Sequence, residues 1–281
     1  MFYNAENGIV QVDNVPMEYI RFGRGSKNLV MLPGLGDGLR SVKGTAPLMA
    51  LLYRDFAREY TVYMFSRKTL IPAQYSTRDM AADLKQAMDI LGIDKADLLG
   101  VSMGGMIAQH FAADYPERLG KLVLVVTIAR QNPTITEALS EWISIAKQGD
   151  HRALMESNLR LIYSDKYYRN NAWLIPAVGA LTKPKSYERF FRQAEACLSH
   201  DSFSQLPRIK APTLIIGGEK DKTVGGEASR ELHENIAGSV LRMYPKGYHG
   251  LYEEEQDFNF LVLNFLKYKN CYKDAKLNSK R

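Results

Sequence analysis

Cysteine is scarce in this chain: Cys197 and Cys271 are its only two in 281 residues. They lie far apart, outside any Cys-x-x-Cys or Cys/His cluster. That excludes a disulfide framework and the ligand spacing of a zinc site, so both read as plain thiols. Long apolar runs are missing too. No stretch approaches the roughly 18 apolar residues of a membrane span, and Met1-Phe2-Tyr3-Asn4-Ala5-Glu6 has neither the basic start nor the apolar run of an export signal. The expectation is a cytoplasmic chain without a membrane span. The glycines of Gly34-Leu35-Gly36-Asp37-Gly38 match neither the Gly-x-Gly-x-x-Gly spacing of dinucleotide binders nor a Walker loop with its Lys-Ser/Thr, so no cofactor and no metal are implied. Excess charge is absent from most of the chain. The formal net charge is +6, but from Lys267 onward six basic residues face Asp274 alone, and the rest is nearly neutral. No nucleic-acid partner is expected, and residues 268–281 read as a solvated basic tail.

What is present, 46% hydrophobic and 24% charged residues, suits a soluble chain with a sizeable core. Residues 9–12 and 17–22 alternate apolar and polar residues around an Asn14-Val15-Pro16 break, the pattern of an antiparallel hairpin. Asn28-Leu29-Val30-Met31-Leu32 is nearly all apolar, as a strand buried on both faces requires, and it runs into the Pro33–Gly38 loop. Strands at 60–65, 96–99 and 121–127 then alternate with helices at 47–58, between a Ser76-x-x-Asp79 start box and Gly92, and at 104–115. From 128 to 206 only helices are expected, at 136–147, 150–163, 171–181 and 187–198. Alternation resumes with strands at 211–217 and 240–244 and helices at 226–236 and 253–267. The chain therefore divides into a core at 1–127 and 207–267, a helical cap at 128–206, and the tail. The core is an α/β fold with a mostly parallel sheet covered by helices on both faces.

Gly100-Val101-Ser102-Met103-Gly104 joins an expected strand to an expected helix, where glycines leave room for a sharp turn that exposes a serine. Five residues alone are weak evidence, with about 0.1 chance matches in a chain this long. A nucleophilic serine also needs a base, an acid to orient it, and N–H donors for the oxyanion. Of five histidines, His249 lies in a loop after a strand among small residues. His110, His151, His200 and His233 fall in helical or cap stretches and read as packed or solvated. Asp221 follows the 211–217 strand, with Glu219 as its nearest substitute. The order Ser102, Asp221, His249 is the order this arrangement uses. The donors expected are the backbone N–H groups of Met103 and, from the loop after the third strand, Leu35.

Residues 9–128 and 207–267 together resemble the α/β-hydrolase superfamily. The segment from Gly100 to Gln109 looks like the elbow of capped bacterial esterases and 3-oxoadipate enol-lactonase-like proteins. Two departures stand out. The family usually has His-Gly where this chain has Pro33-Gly34. Many members have Asp-x-Arg-Gly-x-Gly where Ser66-Arg67-Lys68-Thr69-Leu70-Ile71 keeps one arginine and no glycine. The resemblance implies acyl transfer on a small-molecule ester or lactone: Ser102 as nucleophile, His249 as base, Asp221 as its orienting acid. A hydrolase-fold receptor or sensor with a retained triad is the alternative, as are amide, carbon–carbon and perhydrolase chemistries. A serine at the elbow disfavours epoxide hydrolase and dehalogenase chemistry, which needs a carboxylate there. Trp142, Tyr163, Trp173, Phe190 and Phe191 either line a cap pocket or simply fasten cap helices.

Overall fold

A computed structural model of the chain describes residues 2–268. Cys271 and nearly all of the basic tail lie outside the described residues. β1 (Glu6–Val12) and β2 (Val15–Gly23) pair antiparallel through a two-residue turn. Asp13 and Asn14 both take positive φ, 50° and 62°, a conformation that short polar side chains tolerate. Val15 and Pro16 therefore belong to β2 rather than to the break expected there.

β3 (Lys27–Leu32), β4 (Tyr60–Lys68), β5 (Ala96–Val101), β6 (Leu119–Val125), β7 (Thr213–Gly218) and β8 (Val240–Tyr244) run parallel, and the sheet order is β1-β2-β4-β3-β5-β6-β7-β8. Successive strand residues point to opposite faces. Leu98, Leu122 and Leu124 join one apolar core with Met80, Leu84 and Phe111, whereas Leu99, Val123 and Val125 join another with Phe56, Val62 and Phe265. Burial on both faces is why these strands read as unbroken apolar runs.

The first core packs under α3 (Thr77–Ile90) and α4 (Met103–Asp114). The second packs under α1 (Ala46–Leu52), α2 (Arg54–Glu59) and, late in the chain, α12 (Phe258–Lys267). The expected box at the start of α3 is present: Ser76 Oγ accepts the Asp79 N–H and the Asp79 side chain accepts the Ser76 N–H. Between β6 and β7 come α5 (Pro133–Lys147), α6 (His151–Ile162), α7 (Asp165–Asn171), α8 (Ile175–Thr182) and α9 (Glu188–Leu198). After β7 come α10 (Glu227–Asn235) and α11 (Leu251–Glu254).

Three helix expectations are corrected. The helix expected at 47–58 is two, α1 and α2, because Tyr53 leaves helical geometry with ψ 29°. The helix expected at 171–181 starts only at Ile175, where Pro176 occupies a first-turn position that needs no N–H. Before it stands α7, which was not foreseen and which Ser164 caps by accepting the Tyr167 N–H. The last helix, expected at 253–267, is interrupted before Phe258, where Asp257 instead accepts a 2.8 Å hydrogen bond from the Tyr244 hydroxyl.

Candidate active site

The parallel strands β3, β5 and β7 end in loops that carry Leu35, Ser102 and Asp221, and the loop after β8 carries His249. Ser102 sits between β5 and α4 with φ 53° and ψ −119°, a conformation side chains rarely adopt. Backbone contacts hold it there: Ser102 N–H donates to Val125 O at 2.9 Å, and Ser102 O accepts from Gly105 N–H at 2.8 Å and from Thr127 Oγ1 at 2.7 Å. A Cβ on Gly100 would overlap the Gly104 carbonyl, and one on Gly104 would overlap the Leu32 carbonyl. Both glycines of the elbow are thus required by close backbone approach. Strain of this kind persists only where the surroundings over-determine it.

His249 and Asp221 are brought together. His249 Nδ1 lies 2.8 Å from Asp221 Oδ2, and both side chains are buried. Asp221 Oδ1 accepts the N–H groups of Thr223 and Val224 at 2.8 and 2.9 Å, so both carboxylate oxygens are satisfied. Glu219 is elsewhere, paired with Arg230 at the surface. Ser102 Oγ makes no hydrogen bond to His249 in this structure. The loop after β3 does reach the serine: a Cβ on Gly34 would stand 3.3 Å from Ser102 Cβ and 3.8 Å from its Oγ. The N–H groups of Leu35 and Met103 begin a 3₁₀ turn and α4 respectively, where helical donors have no internal partner.

Sequence reasoning missed what supports that loop. Asp37 is buried, and its Oδ2 accepts the Arg67 N–H at 3.0 Å, Gln193 Nε2 at 3.1 Å and Arg189 Nη2 at 2.5 Å. The Arg67 guanidinium donates to Pro33 O and, at 3.1 Å, to Phe65 O. Burial draws the Arg67 pKa down to about 10, with Asp37 opposing and Arg189 adding to the fall, so the group stays charged at neutral pH. No short motif signals a pair as distant in sequence as Asp37 and Arg189.

The helical insertion touches the other side of the same loops. Gly250 N–H donates to Ile162 O at 2.6 Å, and the Asn132 amide donates to Val224 O at 2.8 Å. The named aromatics mostly fasten helices. Trp142 is buried with its Nε1–H on Ser157 Oγ at 3.1 Å, Phe190 is buried, and Tyr163 donates to Glu253 at 2.8 Å while stacking on Tyr167. Trp173 is 75% exposed. Phe191 lines a cavity of about 350 Å³ with Ile143, Lys147, Glu188, Arg192 and Glu195, away from Ser102. Cys197 is a buried free thiol whose pKa is pushed up to about 12 by burial.

The remaining histidines are held by packing. His110 bonds Gln205, His151 bonds Thr182, His233 bonds Ser239, and His200 Nδ1 lies 2.8 Å from Thr77 Oγ1. Burial first, then the neighbouring His110 ring, holds the His200 pKa down at about 3. Unfolding restores an ordinary value near 6.5, so between pH 6.5 and 3 the unfolded chain binds a proton that the folded chain does not. The stability that a neutral His200 contributes is therefore full above about pH 6.5 and is lost as pH falls toward 3. Each such histidine contributes a slope of up to about 1.4 kcal/mol per pH unit. Melting curves across that range are expected to be flatter for His200→Gln than for the wild type.

A mostly parallel sheet with a strained serine elbow after β5 and a buried His–Asp pair after β7 and β8 defines an α/β hydrolase. A family model for the alpha/beta hydrolase fold matches residues 27–256, and the chain belongs to that family. It is 31% identical over 258 residues to a 2-hydroxy-6-oxononadienedioate/2-hydroxy-6-oxononatrienedioate hydrolase of Escherichia coli O139:H28, covering 87% of this chain and 88% of the relative. An α/β hydrolase enzyme from a Medee basin deep-sea metagenome library superposes with TM-score 0.82 at 26% identity, over 95% of this chain and all of that one. The enol-lactonase of Burkholderia xenovorans LB400 superposes with TM-score 0.79 at 21% identity, over 93% of this chain and all of that one. Among the described residues no helix is long and apolar enough to cross a membrane, and no group of three or more His, Cys, Asp or Glu side chains is placed to hold a metal ion.

Proposed function

We propose that this hydrolase cleaves a carboxylic ester or lactone of a small molecule through an acyl-enzyme on Ser102. The observation that carries the reading is the buried 2.8 Å contact between His249 Nδ1 and Asp221; a serine held at positive φ at the end of β5 supports it. Bonding to Asp221 fixes the tautomer that leaves Nε2 free to take a proton. As His249 takes the Ser102 proton, Oγ adds to the substrate carbonyl, and the oxyanion rests on the Leu35 and Met103 N–H groups. Collapse expels the alkoxide, which takes the proton from His249. Water, deprotonated by the same imidazole, then releases the acid and regenerates Ser102. Ser102 Oγ is not bonded to His249, and catalytic hydrogen bonds commonly tighten only in the Michaelis or transition-state complex. The helical insertion serves as a cap over these loops and sets substrate choice.

The 31% identity to a hydrolase of 2-hydroxy-6-oxo dienedioates favours a second reading, cleavage of a carbon–carbon bond beside a ketone by the same residues. Purified protein is to be assayed on p-nitrophenyl esters of increasing acyl length, on small lactones and on a 2-hydroxy-6-oxo dienoate, with fluorophosphonate labelling beside Ser102→Ala. Ester or lactone turnover, with labelling confined to the wild type, is the expected result. Faster turnover of the dienoate than of any ester would replace the first reading by the second. Absence of both turnover and labelling would remove the serine-hydrolase assignment, and labelling without turnover would leave a sensor.

A further inference from the structure

We propose that Asp37 and Arg189 form a positioning pair through which α9 fixes the 33–38 loop, so that the Leu35 N–H stands beside Ser102 only while α9 is seated. The inference rests on reading Ser102 as nucleophile and Leu35 as an oxyanion donor. Its basis is how the loop is held at each end. At one end Gly34 faces the serine side chain, and Arg67 of β4 donates to Pro33 O at 2.5 Å. At the other end the contacts come from α9. Arg189 donates to the Asp37 carbonyl, to the Asp37 carboxylate, and to the Arg67 and Lys68 carbonyls at 3.1 and 3.2 Å. Gln193, one turn further along α9, donates to the same carboxylate at 3.1 Å.

Backbone meets backbone here as well: a Cβ on Gly38 would stand 2.8 Å from Phe190 Cα. The loop is clamped between the nucleophile and one insertion helix, and Leu35 lies between the clamps.

The chemistry of the pair suits aim better than adhesion. A buried ion pair gains little net stability over apolar groups of the same size, so holding α9 down would not by itself call for one. A guanidinium is a rigid planar fork, and here it reaches four acceptors on two chain segments at once, which an ammonium on a flexible stem does not reproduce. Oxyanion donors act only when placed 2.7–3.1 Å from the developing charge, and removing one typically costs about 10²–10³ in kcat. A loop that has slipped while keeping its fold should lose part of that factor.

The two departures from the family pattern become parts of one device. Pro33 stands where histidine is usual, and its carbonyl is held by Arg67, the arginine retained near the end of β4 without its usual glycines.

The test compares Asp37→Asn, Arg189→Ala and Arg189→Lys with Glu231→Gln, which loses a surface pair to Arg130 elsewhere on the insertion. Read on an ester, kcat is expected to fall by about 10–100-fold in the first three with KM within about 3-fold, part of the loss of one oxyanion donor. Affinity for a boronic acid, which mimics the tetrahedral adduct, should fall in proportion to kcat. Added guanidinium ion should restore part of the rate of Arg189→Ala, and Glu231→Gln should stay near wild type. Amide hydrogen exchange across 33–38 should quicken in Arg189→Ala whether or not the protein turns over an ester, which separates this inference from the hydrolase assignment. Unchanged exchange and unchanged kcat in folded Asp37→Asn would overturn it. So would a rate lost only in proportion to folded protein, or a rise in KM at constant kcat.

Discussion

Ser102→Ala, His249→Ala and the double variant are expected to fall to one common residual rate, about 10⁵–10⁶ below wild type in kcat, because residues that act as a unit do not contribute additively. The residual comes from binding and from the N–H donors, which these changes leave in place. Asp221→Asn should cost about 10⁴, since an amide can present its N–H toward Nδ1 and so stabilise the wrong tautomer. The bonds from Thr223 and Val224 to Oδ1 keep that side chain in place, so the loss should come without a large change in melting temperature. Glu219→Gln should leave kcat within about 2-fold, because removing an exposed ion pair such as that with Arg230 is worth only about 0–1 kcal/mol. Steady-state kinetics on one ester check the whole series. A double variant much slower than either single one, or a Glu219 change as costly as that at Asp221, would contradict the arrangement.

The sheet was legible because burial on both faces leaves a period-free apolar signature, as in Leu122-Val123-Leu124-Val125. The meeting of Asp221 with His249 was legible for a related reason: each lies past an expected strand end, where side chains meet in space without being close in sequence. Helix breaks were harder. Nothing in the type of Tyr53 marks a break, and Asp257, although aspartate favours helix starts, gives its side chain to the Tyr244 hydroxyl rather than to the helix.

The support of the loop after β3 was not legible. Asp37 sits in a glycine-rich turn that suggests solvent, yet it is buried by Arg189 and Gln193 from α9 and by the Arg67 N–H from β4. Only the fold brings those three together. Truncating one partner of such a buried pair typically costs about 3–5 kcal/mol, because the other charge is left stranded. A dependence that large can therefore be invisible to motif reading.

Gly104→Ala is expected to destabilise the chain by about 2–4 kcal/mol, although alanine is a better helix former than glycine by about 1 kcal/mol. The methyl group would overlap the carbonyl of Leu32, with its carbonyl carbon at 2.6 Å and its Cβ at 2.9 Å. Those are mostly backbone atoms of a central strand, and no flexible side chain is there to yield. Helix α4 would have to lift from β3, and both flank the site: α4 begins directly after Ser102, and β3 leads into the 33–38 loop. Gly179→Ala supplies the contrast. It lies within α8 with nothing within 4 Å of the added methyl, and there helix propensity should act alone, leaving stability unchanged or raised by up to about 1 kcal/mol. At about 2–4 °C per kcal/mol for a domain approaching this size, thermal melts at one scan rate should place Gly104→Ala roughly 5–15 °C below wild type and Gly179→Ala at or slightly above it. Equal melting temperatures for the two variants would mean that α4 is not seated against β3 as closely as the elbow geometry requires.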